Sequence, residues 1–206
     1  MNLRPRNILP TTLSTLAVLA VAAGPAEAAK MASFTPEGPG AQVQKKQART
    51  AASCDNVGAR AGEVSEAELA SSTVCLLNVE RTSRGLRALR VNGRLSAAAE
   101  QHTNDMVRRR YFSHTSRSGS DSGDRIRSQG YLSGARSWMI GENLAWGSGE
   151  RSTPRSIVRA WMASPGHRHN ILTSRFREIG IGVASSAPVS TANRGATYTT
   201  TFGSRS

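Results

Sequence analysis

Apolar residues along this chain keep helical spacing for most of its length and take up strand spacing only near the end. Leu95, Ala98, Ala99, His102 and Met106 recur at the three-, four- and seven-residue steps of one buried helical stripe. Leu69, Leu76 and Leu77 share a face upstream, and Ile157, Val158 and Trp161 share one downstream. Ile179 to Val183 and Thr197 to Phe202 then read as strands, separated by a Ser/Pro/Asn/Gly loop. Helices that precede strands exclude a regular βαβ repeat. They predict an α+β fold with a mostly antiparallel sheet covered by helices.

Boundary signals sharpen the helices. Ser65 followed by Glu68 forms a capping-box pattern, and Gly85 is the expected left-handed cap of that first helix. A second helix is predicted over 95–110 and a short one over 124–129, with a polar, glycine-bearing loop over 113–124 between them. Pro154 suits the first turn of a helix over 154–163. Pro165 breaks that pattern, and 167–172 supply one more helical turn.

The first 28 residues are expected to be a secretory signal peptide and not part of the fold. Arg4 and Arg6 precede the apolar stretch Leu16 to Ala23, Gly24-Pro25 breaks it, and Ala26-Glu27-Ala28 fits a small-x-small cleavage site. No apolar run reaches the roughly 20 residues of a membrane span. No cysteine stands at the cleavage point, so no lipid-modified mature N-terminus is expected. Residues 29–63 are rich in Ala, Gly, Pro, Gln, Lys and Ser and are expected to form a flexible arm, ahead of a domain over 64–206. In an oxidising compartment Cys54 and Cys75 are expected to form a disulfide pinning the arm to the first helix; free thiols or pairing between chains are the alternatives.

Charge narrows the partners. The chain carries 27 Lys plus Arg against 14 Asp plus Glu, a formal charge of +13. Only Lys30, Lys45 and Lys46 are lysines; the other cations are arginines, with Arg108-Arg109-Arg110 the densest run. Such a chain collects on polyanions such as cell-envelope phosphates. Aromatics are not interleaved with this charge, so no specific nucleic-acid recognition is expected.

Chemistry rests on few residues. The histidines are His102, His114, His167 and His169, and Glu142 sits in the apolar-rich run Gly141 to Trp146. There is no HExxH, CxxC pair or EF-hand loop, so spacing gives no metal signature. His102 lies on a buried stripe and reads as a core histidine. His169, two residues past His167, reads as surface. Arg81, Asp105 and Asn170 read as structural hydrogen-bonders. Ser164 beside His167 has no evident oxyanion hole and does not read as a nucleophile.

Several segments in order resemble one family: Leu76-Leu77-Asn78 with Arg81, His102 with Asp105-Met106, Tyr111 to Thr115, Asp124-Arg125, Gly141 to Ala145, Trp161-Met162 with Ser164 to Arg168, Asn170 to Leu172, Ile179 to Val183, and Phe202-Gly203. They resemble the CAP superfamily, or SCP-like extracellular domains, in its bacterial branch, over about 66–203. The resemblance implies a three-layer α/β/α sandwich and a ligand cleft lined by His114, Glu142 and His167. It also implies that His114 and His167 can hold zinc or another divalent cation, with Glu142 acting through water or by orienting His114. Ser164 stands where the family carries a second acid, and Tyr198 to Phe202 lacks the family's tryptophan. The expected function is that of a secreted binding protein at the cell envelope, rather than an enzyme. Its partner classes are an anionic envelope polymer or a small apolar or lipid ligand. The alternatives are a zinc-assisted hydrolase of peptide, ester or wall substrates, and a basic wall-adhering protein with a vestigial cleft.

Overall fold

A computed structural model describes residues 54–189 and 195–206. The expected signal peptide, and the arm up to residue 53, lie outside the described residues. In chain order the elements are α1 (Glu66–Thr82), β1 (Arg90–Val91), α2 (Gly93–Arg109), α3 (Ser122–Ser128), β2 (Trp138–Ser148), a 3-10 turn (Gly149–Ser152), α4 (Pro154–Ala163), α5 (Pro165–Leu172), β3 (Glu178–Ala184) and β4 (Gly195–Arg205). The strands lie in the order β1-β3-β4-β2. Only the two-residue β1 pairs in parallel; β3 with β4 and β4 with β2 are antiparallel.

The helices begin where their caps dictate. Ser65 accepts from the Glu68 amide while the Glu68 carboxylate accepts from the Ser65 amide, so two orphan donors of α1 are satisfied together. Asp121 and Asp124 repeat the arrangement at α3, two residues earlier than the sequence suggested. Asn92 caps α2, which ends at Arg110 in the left-handed region. Helix α1 closes at Ser83 in a right-handed conformation, so Gly85 takes the left-handed turn two residues later than a direct cap would. Pro165 does more than break α4: it occupies the first turn of α5, where its missing N–H costs nothing.

Alternation along β3 sets the layers. Ile179, Ile181 and Val183 point into the larger core with Leu69, Leu77, Trp161, Tyr198 and Phe202. Gly180 and Gly182 point to the other face, where an added Cβ would run into the backbone of α2 at Leu95–Ser96 and Ala99–Glu100. Absence of side chains there lets α2 lie directly on the sheet. A second cluster of Leu95, Ala98, Ile126 and Tyr131 fills that face. The described residues therefore form the three-layer sandwich expected, with α1, α4 and α5 on one face and α2 and α3 on the other.

Two cross-links tie the N-terminal part down. Cys54 and Cys75 form a disulfide. Val57 and Ala61, ahead of the boundary expected at 64, are buried in the larger core, and the Arg155 amide donates to the Val57 carbonyl. The fully buried Arg81 replaces a carboxylate partner with main-chain oxygens. It donates to the carbonyls of Arg87, Ile171, Thr173 and Phe176, and so holds the turn between α5 and β3.

Candidate functional site

Strand β2 is an edge of the sheet, and the candidate site is built along it. The sequence did not mark this strand, because Gly, Glu and Asn in Gly141-Glu142-Asn143 are all depleted in strands. Both polar side chains are nonetheless buried, and each goes to an opposite face. Asn143 donates to the His167 carbonyl at 3.1 Å. Asn170 donates to the Glu142 carbonyl at 3.1 Å and to Asn143 Oδ1 at 2.9 Å. Trp161 Nε1 donates to the Leu144 carbonyl at 3.0 Å. Outward-facing main-chain acceptors in the middle of the edge are thus capped by side chains from α4 and α5.

Glu142 has both carboxylate oxygens committed. Oε1 accepts from His114 Nδ1 at 2.8 Å, and Oε2 accepts from Arg125 Nη2 at 2.9 Å. A carboxylate oxygen facing His114 Nδ1 fixes the proton there, so the neutral ring keeps its lone pair on Nε2. The His114 side chain is 58% exposed while that of Glu142 is 3% exposed, so a buried acid orients an open imidazole. Arg125 also donates to the carbonyls of Ser120 and His114, which fastens the 113–121 loop carrying His114. Arg125 was visible in the sequence only as a landmark. A cation beside the apolar Ile126 on a short helix is the signal that could have singled it out.

His167 is half-buried on α5. Its pKa lies below the ordinary 6.5, first through burial and then through the charge on His114. Ser164 joins α4 to α5, one turn before His167, and its side chain makes no capping bond. His102 is fully buried, as expected of a core histidine. Its Nε2 meets the Ser113 carbonyl at 2.8 Å, and Nδ1 lacks a partner. Burial, then the charge of Arg125, lower its pKa. His169 is exposed, as expected. Asp105 accepts from the Tyr111 hydroxyl and pairs with Arg109, a structural role.

The family's divalent cation can be tested against these donors. Each Glu142 oxygen already accepts from a cationic or imidazole N–H, Ser164 offers a neutral hydroxyl where an acid would be needed, and no cluster of three His, Cys, Asp or Glu suited to a metal exists among the described residues. These residues do not fit a zinc centre with three protein ligands. Glu142 is placed as the acceptor that orients His114, the position an outer partner of a ligating imidazole takes.

The model of the cysteine-rich secretory protein family, CAP, matches residues 74–201. The chain belongs to the CAP family. The chain is 37% identical over 114 residues to the uncharacterized protein YkwD of Bacillus subtilis, covering 55% of this chain and 42% of that protein. It is 32% identical over 108 residues to the uncharacterized membrane protein YlbC of the same organism, covering 52% and 29%. The chain thus spans less than half the length of either curated relative. Among solved structures, an extracellular SCP-domain protein of Bacillus anthracis aligns with TM-score 0.52 and 25% identity, covering 68% of this chain and 43% of that one. An outer surface protein of Borrelia burgdorferi aligns with TM-score 0.53 and 20% identity, covering 65% and 90%, a likeness of fold. No helix among the described residues is long and apolar enough to cross a membrane.

Proposed function

We propose that this chain is an exported CAP-domain protein that acts at or outside the cell envelope and binds a ligand at the β2 edge through His114. The observation that carries the reading is the His114–Glu142–Arg125 array. It holds one imidazole open to solvent, with its free nitrogen fixed as an acceptor. A ligand hydroxyl or amine donates to that nitrogen, and His167 and Ser164 supply the facing polar wall. A divalent cation is an alternative guest of His114 and His167 and is held loosely, because the one nearby carboxylate, Glu142, is already paired with His114 and Arg125. Export is supported by the leader-like residues 1–28, by the disulfide, and by the extracellular description of the Bacillus anthracis neighbour.

Zinc titration of the purified chain, followed by histidine-resolved NMR, tests the site. Gradual, weak perturbation of His114 and His167 together is expected, and it disappears in His114→Ala. Resonances unmoved by excess zinc would remove the cation from the account. Peptide or ester turnover lost on His114→Ala would replace the binding reading with a hydrolase.

A further inference from the structure

The caps on the β2 edge stop halfway. Glu142 and Leu144 turn their carbonyls outward and are capped by Asn170 and Trp161. The two-residue period of a strand makes Ile140 and Trp138 the next outward-facing positions. Among the described residues no side chain caps the main chain at either. An uncovered edge of this kind is a template for another strand.

A groove opens beside that uncapped stretch. It has a volume of about 890 Å³ and lies between β2, α5 and the turn after α5. The Ile140 side chain is turned to the far face, against the α2–α3 cluster, so its main chain is what borders the groove. Met139, Met162 and Phe176 provide apolar floor, and Arg168 and Arg175 line the rim. Through Met139 and Arg175 the groove continues into a second hollow of about 440 Å³, bordered by Trp138, Arg177 and Arg205. Trp138 is 50% exposed. No acidic residue among those described lines either hollow. Arg177 and Arg205 are engaged with main-chain carbonyls, whereas Arg168 and Arg175 make no ion pair among the described residues.

We propose that the groove and the uncapped β2 edge together bind an acidic polypeptide segment in extended form. The segment pairs its main chain with Trp138 and Ile140, sets an apolar side chain on Met139 and Met162, and brings carboxylates to Arg168 and Arg175. Main-chain pairing supplies affinity and the alternating side chains supply selectivity. Charge decides among occupants. The chain's own 29–53 segment carries Lys30, Lys45, Lys46 and Arg49 against Glu37, and a second copy of the chain is as basic as the first. Both have the wrong sign for this rim, so the occupant is a different, acidic polypeptide. None of His114, Glu142, Arg125, Ser164 and His167 lines this groove, so the proposal does not depend on the reading of the His114 array.

The probe is a fluorescein-labelled heptapeptide of alternating Glu and Val, titrated into the purified chain by anisotropy. Saturable binding is expected. Arg168→Glu with Arg175→Glu weakens it by about tenfold or more, whereas Arg87→Glu with Arg90→Glu, the same charge change at exposed positions near β1, leaves it within about twofold. A heptapeptide N-methylated at alternate residues keeps its charge, loses its pairing amides and binds at least about fivefold more weakly. In the unaltered chain the Ile140 amide gains protection from hydrogen exchange, a readout independent of how the variants fold. Equal loss in both double variants would reduce the effect to diffuse charge. Equal binding of the N-methylated peptide, or an unprotected Ile140 amide, would remove strand addition. Tighter binding of polyphosphate or anionic vesicles at Arg168 and Arg175 would make the surface a general anion site. Any of these overturns the proposal.

Discussion

Arg125 and Glu142 form an ion pair at 2.9 Å in which the side chains are only 5% and 3% exposed. Removing one member strands the other charge in the interior, which costs about 3–5 kcal/mol. Arg125→Met is therefore expected to destabilise strongly in urea unfolding and to loosen the 113–121 loop. Arg125→Met with Glu142→Gln should recover part of the loss, because no uncompensated charge remains. A double variant no better than the single one would show that packing of the guanidinium matters more than its charge.

Acid should weaken the fold through His102 and His167. Both have pKa values below 6.5 in the native state, mainly through burial. Above about pH 6.5 neither the folded nor the unfolded chain takes up these protons, and stability is complete. As pH falls through that value the unfolded chain binds protons that the native chain refuses, so stability declines until the pH passes the folded pKa values. Histidine NMR titration checks this directly. A native midpoint at or above 6.5 for both rings would contradict it.

Gly180→Ala and Gly182→Ala should each destabilise by about 3 kcal/mol or more, the upper end of overpacking costs, because the new methyl meets helix backbone that has no rotamer to yield. Gly141→Ala should be milder. Its methyl would approach the Phe176 ring at 3.1 Å and Asn170 Oδ1 at 3.2 Å, both movable side chains. Thermal melts of the three variants would rank them, and a ranking with Gly141→Ala lowest would refute this account of the layer contact.

Cys54→Ser with Cys75→Ser should lower stability by about 3 kcal/mol, the chain-entropy value for a loop of this length. The sequence separation is 21 residues. The same loss should follow reduction of the unaltered protein. A melting temperature indifferent to reductant would show that Val57 and Ala61 hold the N-terminal segment unaided.

What the sequence revealed and what it hid divide along range. The Ser65–Glu68 box, the α2 stripe and the Ile/Gly alternation of β3 are local patterns, and each predicted its element to within a few residues. Strand β2 was hidden because Glu142 and Asn143 find their partners 17 to 28 positions away, and no periodicity records that. The cleft pair His114 and Glu142 came from family resemblance, whereas the third member of the array, Arg125, needed coordinates. Its role depends on a short helix laying one guanidinium against a strand that the composition disfavoured.

Arg81 couples two distant stretches of the chain. Its guanidinium lies on the first described helix, yet three of its four acceptors lie 90 to 95 residues downstream. Without the turn between α5 and β3 this buried cation would lose those three acceptors and stand largely unpaired in the core, so the seating of α1 is energetically tied to a stretch of chain far from it in sequence.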